Sequence, residues 1–480
     1  MAKSSEQPAL EPAIFIIFGI TGDLSQRKLL PALYHLIKSD LLHANTEIVG
    51  VTRRDVSADD LLNSVELCVN ETEKVCDPVV LKKMRSMISM QQVDLTDSGD
   101  YTKLKSYLDG IEEKHAICMN RLFYLSIPPQ VYAPIVQLLG KSGLNNSCIH
   151  GVAKSRLLIE KPFGYDLASA KELIAETGKV FHEDQIFRID HYVAKETVQD
   201  ILTFRFSNPL FAAIWDNRYI SHIQITATEK IDIENRAIFY EETGALCDFI
   251  QSHLMQLLAL LTMAEPSKLT SQTIHEAKID LLDTVQTVSA ADVWKDTVRG
   301  QYDGYREEVH NPGSIRETYA AVKLAIDSPQ WRGVPVIIRT GKALAKKETK
   351  LSIIFCSKDG AIANSLRFRI QPDEGISLNL LAKQPGYEMT TRPVSMDFNY
   401  GQTFNDHGHP DAYERVLVDA VRGDHTLFST SAEVLASWRI LENVVQAWST
   451  SDKDLHKYRK GTTGPSAVDE LAAKTNAEWL

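Results

Sequence analysis

The chain has 480 residues, of which 44% are hydrophobic and 8% aromatic, and its formal net charge is −11. This length predicts roughly two to four domains, and the negative charge argues against a general nucleic-acid partner, because a phosphate polymer repels an acidic surface. No apolar run approaches the ~20 residues that a membrane helix needs, and residues 1–12 lack the apolar core of a secretory signal. We therefore expect a cytoplasmic protein that has no membrane partner.

Neither the cysteines nor the histidines form a pattern typical of a metal site. The six cysteines are scattered and include no Cys-x-x-Cys pair, so we expect reduced thiols rather than a zinc site or a disulfide framework. His407 and His409 flank a glycine in a predicted loop that has no supporting carboxylate cluster. The sequence therefore predicts no metal.

The first strand, turn and helix have the pattern of a phosphate site. Residues 13–18 are apolar and predict a central strand of a parallel sheet, and residues 25–39 predict an amphipathic helix. Between them lies the turn Gly19-Ile20-Thr21-Gly22-Asp23-Leu24. A strand, a glycine turn and a helix in this order direct backbone N–H groups at a phosphate. The Gly-x-x-Gly spacing alone is equally typical of an ordinary tight turn.

The end of the second predicted strand carries a possible determinant of cofactor choice. Residues 47–52 predict this strand, and Arg53 follows it directly. In dinucleotide-binding folds an acidic residue here favours a free ribose 2′-hydroxyl, whereas arginine favours a 2′-phosphate. Arg53 is therefore a candidate for selecting NADP over NAD. An exposed loop cation is the alternative, and Asp55 nearby weakens the case.

More strands follow at the spacing of β-α-β units. They are predicted over residues 121–126, 156–159 and 186–189, with a helix over residues 167–181. Lys161 follows the second of these strands, and Asp190 follows the last. Both lie where an open α/β sheet binds its ligand, outside the carboxyl ends of the strands. We predict an α/β Rossmann-like domain over residues 1–200.

Residues 188–196 combine cations, a histidine, a tyrosine and a carboxylate within nine positions. Lys195 and His191 can neutralise an anion, and Tyr192 can donate a hydrogen bond to it. Asp190 can orient a histidine that arrives from elsewhere in the fold. This mixture suits a phosphorylated ligand, although a solvated helix start explains it equally well on its own.

The hydrophobic pattern changes after residue 208. Alternating polar and apolar residues predict strands over residues 221–229, 334–339, 351–355 and 376–381. Such strands, with helices between them, predict a larger α+β domain with a mainly antiparallel sheet over residues 201–480.

One predicted helix in this second domain, over residues 244–263, is apolar nearly throughout and should be buried. A cluster of polar residues interrupts it, and His253 belongs to that cluster. Buried polar groups must be hydrogen-bonded or functional. A lone histidine here would be an ordinary core residue, but the presence of several polar residues together favours a functional role.

Several stretches match the motifs of one enzyme family. They are residues 19–33, Glu160-Lys161-Pro162-Phe163-Gly164, residues 188–196, Arg339-Thr340-Gly341-Lys342 and Asp411-Ala412-Tyr413-Glu414-Arg415. On these motifs the chain resembles glucose-6-phosphate dehydrogenase over nearly its whole length. The stretch at residues 188–196 is the most specific of them.

The resemblance implies a Rossmann-like NADP-binding domain followed by an α+β domain for substrate binding and oligomerisation. It implies oxidation of the C1 hydroxyl of D-glucose 6-phosphate to 6-phospho-D-glucono-1,5-lactone, with hydride transfer to NADP+. This reaction is the first step of the oxidative pentose phosphate pathway. The resemblance also implies a homodimer or a homotetramer.

The resemblance further implies a set of site residues. His253 takes the position of the catalytic base, and Asp190 that of its carboxylate partner. The implied substrate-binding residues are His191, Tyr192, Lys195, Glu229, Asp248, Lys342 and Lys347. The implied cofactor-binding residues are Gly19, Thr21, Gly22, Asp23, Leu24, Arg53 and Lys161.

The sequence departs from the family pattern beside the proposed base. Cys247 stands where the family usually has arginine, and Ser252 where it usually has asparagine. These departures leave the rate and the substrate range open. One alternative is a dehydrogenase of the same fold that acts on another aldose or aldose phosphate, with NAD. Another is a non-catalytic homologue that binds a ligand as a sensor or assembly subunit, although retention of both Asp190 and His253 argues against it.

Overall fold

The structure is a computed structural model that describes residues 10–73, 75–146, 153–234, 236–357, 362–404, 411–473 and 479. The chain divides into two units by its internal contacts. The first unit contains residues 1–163, 171–194 and 410–431, and the second contains residues 164–170, 195–409 and 432–480. The division into domains at residue 200 stays a prediction.

The strands and helices are numbered in chain order. The strands are β1 (Ala13–Phe18), β2 (Glu47–Thr52), β3 (Ile88–Gln92), β4 (Asn120–Leu125), β5 (Ser155–Glu160), β6 (Ile186–Ile189), β7 (Ile220–Thr228), β8 (Thr297–Tyr302), β9 (Tyr319–Leu324), β10 (Val336–Gly341), β11 (Glu348–Phe355), β12 (Ser365–Gln371), β13 (Gly375–Lys383), β14 (Thr391–Asn399), β15 (Phe428–Ser429) and β16 (Leu455–Tyr458). The α-helices are α1 (Leu30–Lys38), α2 (Ala58–Glu73), α3 (Pro78–Met87), α4 (Ser98–His115), α5 (Tyr132–Lys141), α6 (Leu167–Gly178), α7 (Glu196–Ser207), α8 (Pro209–Ala212), α9 (Ala237–Ala245), α10 (Met255–Thr262), α11 (Ser271–Thr284), α12 (Val293–Asp296), α13 (Tyr305–Glu308), α14 (Tyr400–Thr403), α15 (Ala412–Arg422), α16 (Ser431–Thr450) and α17 (Ala467–Ala473). Two π-helical segments cover Ser25–Leu29 and Leu246–Leu254, and 3-10 turns cover Pro129–Val131 and Glu183–Gln185.

The first unit is built on a parallel sheet. Its strands lie in the order β3-β2-β1-β4-β5-β6, with the short β15 antiparallel to β6 at the edge. Every residue of β1 and β4 is buried, as expected for strands covered on both faces. This strand order is that of a dinucleotide-binding fold. The predicted Rossmann-like α/β architecture is confirmed.

A late segment of the chain completes this unit. The guanidinium of Arg156, on β5, donates hydrogen bonds to the carbonyls of Ala420 and Val421 over 2.6 and 2.5 Å. These carbonyls belong to the last turn of α15, where helical carbonyls have no partner within the helix and a cation is favoured. Residues 410–431 therefore pack with the parallel sheet, although they follow most of the second unit in sequence.

The second unit contains a nine-stranded sheet in the order β14-β13-β12-β11-β7-β10-β9-β8-β16. Its strands pair antiparallel except at β7–β10 and β8–β16, which are parallel. The predicted mainly antiparallel sheet is confirmed. The parallel β7–β10 pair matters for the site, because it brings the carboxyl ends of two strands together.

The predicted helix over residues 244–263 is present but is not one regular α-helix. Gly244 breaks it with a φ of +63°, and the segment Leu246–Leu254 is π-helical before α10 continues. Ala237–Thr262 is long and apolar enough to cross a bilayer by length and composition, and 94% of its apolar window is buried within the described part of the protein. This burial is typical of a core helix.

Two features bear on the cysteines and metals. Cys118 is disulfide-bonded, so the expectation of reduced thiols was wrong at this position. Within the described ranges, no group of three or more histidine, cysteine or acidic side chains could hold a metal ion. His407 and His409 lie outside the described residues.

Candidate active site

The glycine turn after β1 is closed by hydrogen bonds to one carbonyl. The N–H of Gly22 and the hydroxyl of Ser25 donate to the carbonyl of Gly19 over 2.9 and 3.1 Å. Gly19 has a φ of +77°, and a Cβ there would lie 2.3 Å from the carbonyl oxygen of Ser126. A side chain is therefore excluded both by the backbone conformation and by the neighbouring strand. The turn brings bare backbone to the carboxyl edge of the sheet, as a pyrophosphate cradle requires.

The rest of the predicted cradle leads into the π-helical segment Ser25–Leu29. The carbonyl of Thr21 accepts a hydrogen bond from the side-chain amide of Gln26 over 3.2 Å. Leu24 precedes the segment with helical backbone angles. Asp23 is exposed and forms an ion pair with Arg27 over 2.8 Å. The acidic side chain is thus held at the surface, while the turn offers backbone groups.

Arg53 follows β2 at the same edge. It is exposed, and its carbonyl accepts a hydrogen bond from the side chain of Gln92, at the end of the neighbouring β3, over 3.2 Å. The N–H of Arg54 donates to the hydroxyl of Thr52 over 3.1 Å. These bonds fix the backbone around Arg53 at the carboxyl edge of the sheet.

Glu160 ends β5 beside Lys161. Its carboxylate accepts a hydrogen bond from the hydroxyl of Tyr124, on β4, over 2.5 Å. Burial raises the pKa of Glu160 to about 7, with Asp190 adding to the effect and Lys161 opposing it. A carboxyl group that changes its charge near neutral pH therefore lies next to the predicted cofactor lysine.

Asp190 and its neighbours follow the adjacent strand β6. The carboxylate of Asp190 is buried and accepts a hydrogen bond from the N–H of Tyr192 over 2.9 Å. The ring of His191 lies 5.0 Å from that of Tyr192 and stacks on Tyr413 at 6.1 Å, measured between centroids. The first unit thus gathers the glycine turn, Lys161 and this acidic and aromatic cluster at one sheet edge.

In the second unit, Lys195 contacts a residue that the sequence did not signal. Lys195 immediately precedes α7, and its ammonium donates a hydrogen bond to the side chain of Gln371 over 2.6 Å. The amide of Gln371 in turn donates to the hydroxyl of Thr349 over 3.1 Å. This chain of contacts orients the ammonium at the end of β12. A charged group held in this way is suited to bind an anion.

Glu229 and Lys342 meet because β7 and β10 run parallel. Each residue directly follows its strand, and their side chains form an ion pair of 2.5 Å. The N–H of Glu229 donates to the carbonyl of Gly341 over 2.9 Å, which fixes the register of the two ends. The ammonium of Lys342 is buried and lies 5.7 Å from the centre of the Tyr240 ring.

Asp248 joins the same cluster. Asp248 is buried. Burial of Tyr240 is the largest cause that raises the pKa of its hydroxyl, the charge of Asp248 is the second, and the charge of Glu229 also contributes. The charges of Asp248 and Glu229 therefore act on the same tyrosine whose ring lies near the ammonium of Lys342. Carboxylates and an ammonium are suited to hold the hydroxyl groups of a sugar.

The π-helical segment Leu246–Leu254 carries both Asp248 and His253. Its hydrogen bonds span five residues, as in the bond from the N–H of Met255 to the carbonyl of Ile250. The wider turn brings residues five positions apart closer to one face than an α-helix would. His253 is 1% exposed, and its ring makes an edge contact with Phe249 at 5.6 Å. Such π-helical segments are frequent at functional sites.

The two departures beside His253 leave polar but uncharged groups. Cys247 is buried, and burial raises the pKa of its thiol, so it stays neutral. The hydroxyl of Ser252 donates to the carbonyl of Asp248 over 3.0 Å, within the helix. Lys347, another predicted substrate residue, is exposed in the link between β10 and β11.

Three residues that sequence reasoning missed take part in these clusters: Gln371, Tyr240 and Glu160. Gln371 and Tyr240 lie far in sequence from Lys195 and Lys342, and no local pattern connects them. Glu160 stood inside a recognised motif, but only the hydrogen bond from Tyr124 and the raised pKa of its carboxyl group distinguish it. The predicted pairing of Asp190 with His253, and the role of each site residue, stay predictions.

A bare glycine turn at the carboxyl edge of a parallel sheet is the usual binding site of a nicotinamide dinucleotide, and a buried histidine on the same helical segment as a buried carboxylate is suited to take a proton from a hydroxyl. These features define a dinucleotide-dependent oxidoreductase. Family models for the glucose-6-phosphate dehydrogenase NAD binding domain and C-terminal domain match residues 16–200 and 202–480. The chain belongs to the glucose-6-phosphate dehydrogenase family, which confirms the resemblance.

Similar proteins cover the chain almost completely. It is 40% identical to glucose-6-phosphate 1-dehydrogenase of Chlamydia muridarum, over 98% of this chain and 97% of the relative. It is 37% identical to that of Bacillus subtilis, over 99% of both chains. A solved glucose-6-phosphate dehydrogenase in complex with its substrate glucose-6-phosphate has a TM-score of 0.90 at 29% identity, covering 99% of this chain and 100% of that one. The Mycobacterium avium enzyme has a TM-score of 0.83 at 32% identity, covering 98% and 99%.

Proposed function

We propose that this protein oxidises the C1 hydroxyl of D-glucose 6-phosphate to 6-phospho-D-glucono-1,5-lactone, with hydride transfer to NADP+, as the first step of the oxidative pentose phosphate pathway. The observation that carries the proposal is His253, a buried histidine on the same π-helical segment as Asp248. The family membership supports the choice of reaction.

The proposed chemistry requires one proton and one hydride to leave the sugar. The imidazole of His253 accepts the proton of the C1 hydroxyl as the C1–O bond becomes a carbonyl and the C1 hydride departs. NADP+ supplies the hydride acceptor when it is bound. Asp190 is the proposed partner that fixes the tautomer of His253 and stabilises the resulting imidazolium. A positioned base of this kind is typically worth ~10²–10⁴-fold in rate.

The substrate phosphate is assigned to Lys195, His191 and Tyr192. The ammonium held by Gln371 offers a charge, and the two rings offer further hydrogen bonds. Binding energy from this remote phosphate can position the reacting end of the sugar. The sugar hydroxyls are assigned to the remaining substrate residues, Glu229, Asp248, Lys342 and Lys347.

The cofactor is assigned to the turn at Gly19 and Gly22, with Thr21, Asp23 and Leu24 in the same turn and Lys161 at the neighbouring strand end. The excluded Cβ at Gly19 supports a close approach of pyrophosphate to the backbone. Arg53 is the proposed contact of the 2′-phosphate, which favours NADP over NAD. Arg53→Ala should lower kcat/KM for NADP and leave kcat/KM for NAD nearly unchanged. An equal loss with both cofactors would contradict this assignment.

The decisive assay follows the absorbance of the reduced nicotinamide. Purified protein is given glucose 6-phosphate with NADP, and free glucose or NAD replaces one component in parallel reactions. The proposal expects a rate that needs the phosphosugar and is higher with NADP. Comparable rates with other aldoses would favour the alternative of a broader dehydrogenase. Binding of both ligands without turnover would favour a non-catalytic homologue.

We also propose that the protein is a homodimer or a homotetramer. Large apolar side chains are exposed on the outer strands β13 and β14 and on the turn between them. The exposed fraction is 61% for Met396 and 82% for Met389. Several large apolar side chains exposed on the outer strands of a sheet are typical of an interface. Met396→Glu should lower the mass measured by light scattering, whereas Ile238→Glu, at an exposed position on α9, should not.

A cytoplasmic location and the absence of nucleic-acid and membrane partners complete the proposal. The net charge of −11 and the buried state of the apolar Ala237–Thr262 stretch support it. Cell fractionation checks the location, and recovery of the protein with membranes after a salt wash would contradict it.

A further inference from the structure

A buried ionic network in the second unit has no part in the proposed chemistry. The carboxylate of Glu433, on α16, is fully buried and contacts two side chains of α11: the imidazole of His275 over 2.7 Å and the ammonium of Lys278 over 2.9 Å. Lys278 also donates a hydrogen bond to the side chain of Gln256, on α10, over 2.9 Å. Burial opposes ionisation, but Lys278 and His275 lower the pKa of Glu433 to about 2, so the carboxylate stays charged.

Stability alone does not explain this network. Removing two charges from water is costly, and apolar side chains of similar size often stabilise a core equally well. The network instead fixes the relative positions of the helices that carry it, because hydrogen-bonded charged groups hold each other at a defined distance and angle. It joins α11 and α16 to one particular point on α10.

That point is the junction between the π-helical segment and α10. Gln256 lies three residues, about one helical turn, after His253, and it is the second residue of α10. At this junction the hydrogen bonding changes from the wide π-helical spacing to the α-helical one. Because π-helical turns are rare and depend on their surroundings, a fixed contact here determines how the preceding turns are rotated.

The far end of α10 is fixed independently. The carbonyls at residues 260–263 all accept hydrogen bonds from side chains, the donors being the guanidinium of Arg205 and the indoles of Trp215 and Trp331. A helix whose final carbonyls are paired in this way cannot slide along its axis without breaking several bonds. The contact at Gln256 therefore restricts the motion that remains to α10, which is rotation about the helix axis at the end nearest His253.

We propose that Lys278 and Glu433 are positioning residues for His253. Acting through Gln256, they hold the junction of the π-helical segment and α10, and so they set the direction in which the imidazole points. This inference rests on the proposed role of His253 as the base.

The test is the double variant Lys278→Met/Glu433→Gln, which removes both charges and leaves residues of similar size. We expect kcat to fall about tenfold or more, because small misplacements of a catalytic group are costly. KM for glucose 6-phosphate should stay within about twofold, since ground-state binding is not altered. Amide hydrogen exchange in peptides covering residues 246–262 should become faster. Unchanged kcat and unchanged exchange would overturn the proposal.

Two further variants separate positioning from loss of stability. Gln256→Met removes the contact to α10 but keeps the ion pair, and it should reproduce both effects even if the double variant fails to fold. Arg299→Met removes another buried cation, one that donates to the carbonyls of Trp448 and Lys453. It should lower the melting temperature but leave kcat and exchange at residues 246–262 unchanged. An equal loss of kcat in Arg299→Met would assign the effect to stability and overturn the proposal.

Hydrogen exchange also separates this inference from the proposed function. If the parent protein shows no turnover, or if His253→Asn is fully active, the assignment of the base fails. Faster exchange at residues 246–262 in the Gln256 variant would still show that the network holds the segment. Unchanged exchange would remove the network's role whatever the outcome of the assays.

Discussion

The glycine turn of the first unit and the π-helical segment of the second perform their proposed tasks by different means. The turn after β1 offers backbone groups, and its essential property is the lack of a side chain at Gly19. The segment Leu246–Leu254 offers side chains, and its essential property is where it directs Asp248 and His253. The first site is local in sequence, whereas the second depends on contacts from β7, β10, α11 and α16.

This difference explains how each region should respond to substitution. A backbone site tolerates changes in the surrounding side chains but not an added Cβ. A site made of side chains tolerates substitutions that change secondary-structure propensity, but it does not tolerate the loss of a single charged or proton-accepting group. Substitutions at His253, Gly19, Lys195 and Glu160 test this contrast.

His253→Asn should lower kcat by ~10²–10⁴-fold while glucose 6-phosphate still binds, because the proton acceptor is lost and the amide keeps a polar group in place. Steady-state kinetics and calorimetric binding measure the two quantities. The control is His222→Asn, at a buried histidine on β7 whose pKa burial lowers to about 4. Equal turnover of the His253 variant and the parent would remove His253 as the base.

Gly19→Ala should weaken binding of the nicotinamide cofactor by about tenfold or more, because the added Cβ meets the carbonyl of Ser126 and the turn must move to relieve it. Returning the backbone to the strained conformation that the cofactor needs costs about 1–3 kcal/mol. Gly110→Ala is the matched control, since a Cβ at that helical position meets nothing within 4 Å. It should leave cofactor binding unchanged and stabilise the fold by about 0.5–1 kcal/mol. Fluorescence titration and thermal unfolding distinguish the two variants. Normal cofactor affinity of Gly19→Ala would contradict the proposed cradle.

Lys195→Ala should raise KM for glucose 6-phosphate by about tenfold to a hundredfold, since a hydrogen bond to a charged group is worth about 1.5–3 kcal/mol. KM for the cofactor should not change. Lys103→Ala, at an exposed lysine of α4, provides the control. An unchanged KM for the phosphosugar would show that the phosphate binds elsewhere.

Glu160 should give the smallest effect, a dependence of stability on pH. Its pKa is raised from 4.5 to about 7 in the folded protein, so the folded state holds a proton that the unfolded state has lost. Its contribution to stability is therefore complete below pH 4.5 and declines as the pH rises to about 7. Urea unfolding across this range should show a shallower decline for Glu160→Gln than for the parent. Identical slopes would mean that Glu160 ionises normally.

Much of the fold could be predicted because the relevant signals are short. The strands β1 and β2 have the predicted bounds, since apolar runs that end at glycine or arginine mark buried parallel strands directly. The glycine turn was predicted with them, because its geometry depends on a few consecutive residues. The family motifs supplied the candidate roles of His253 and Asp190, which composition and periodicity alone left open.

The tertiary structure decided what depends on distant partners. It places α15 and β15 with the first sheet, joins Lys195 to Gln371, and turns a predicted regular helix into a π-helical segment. None of these three features follows from hydrophobic periodicity. Periodicity indicates which face of a helix or strand is apolar, but not which other element packs against that face. By itself, the sequence determined the elements and the residues available for chemistry. The pairing of strands and the buried ionic contacts determined which of those residues meet, because such contacts form only when the whole sheet is assembled.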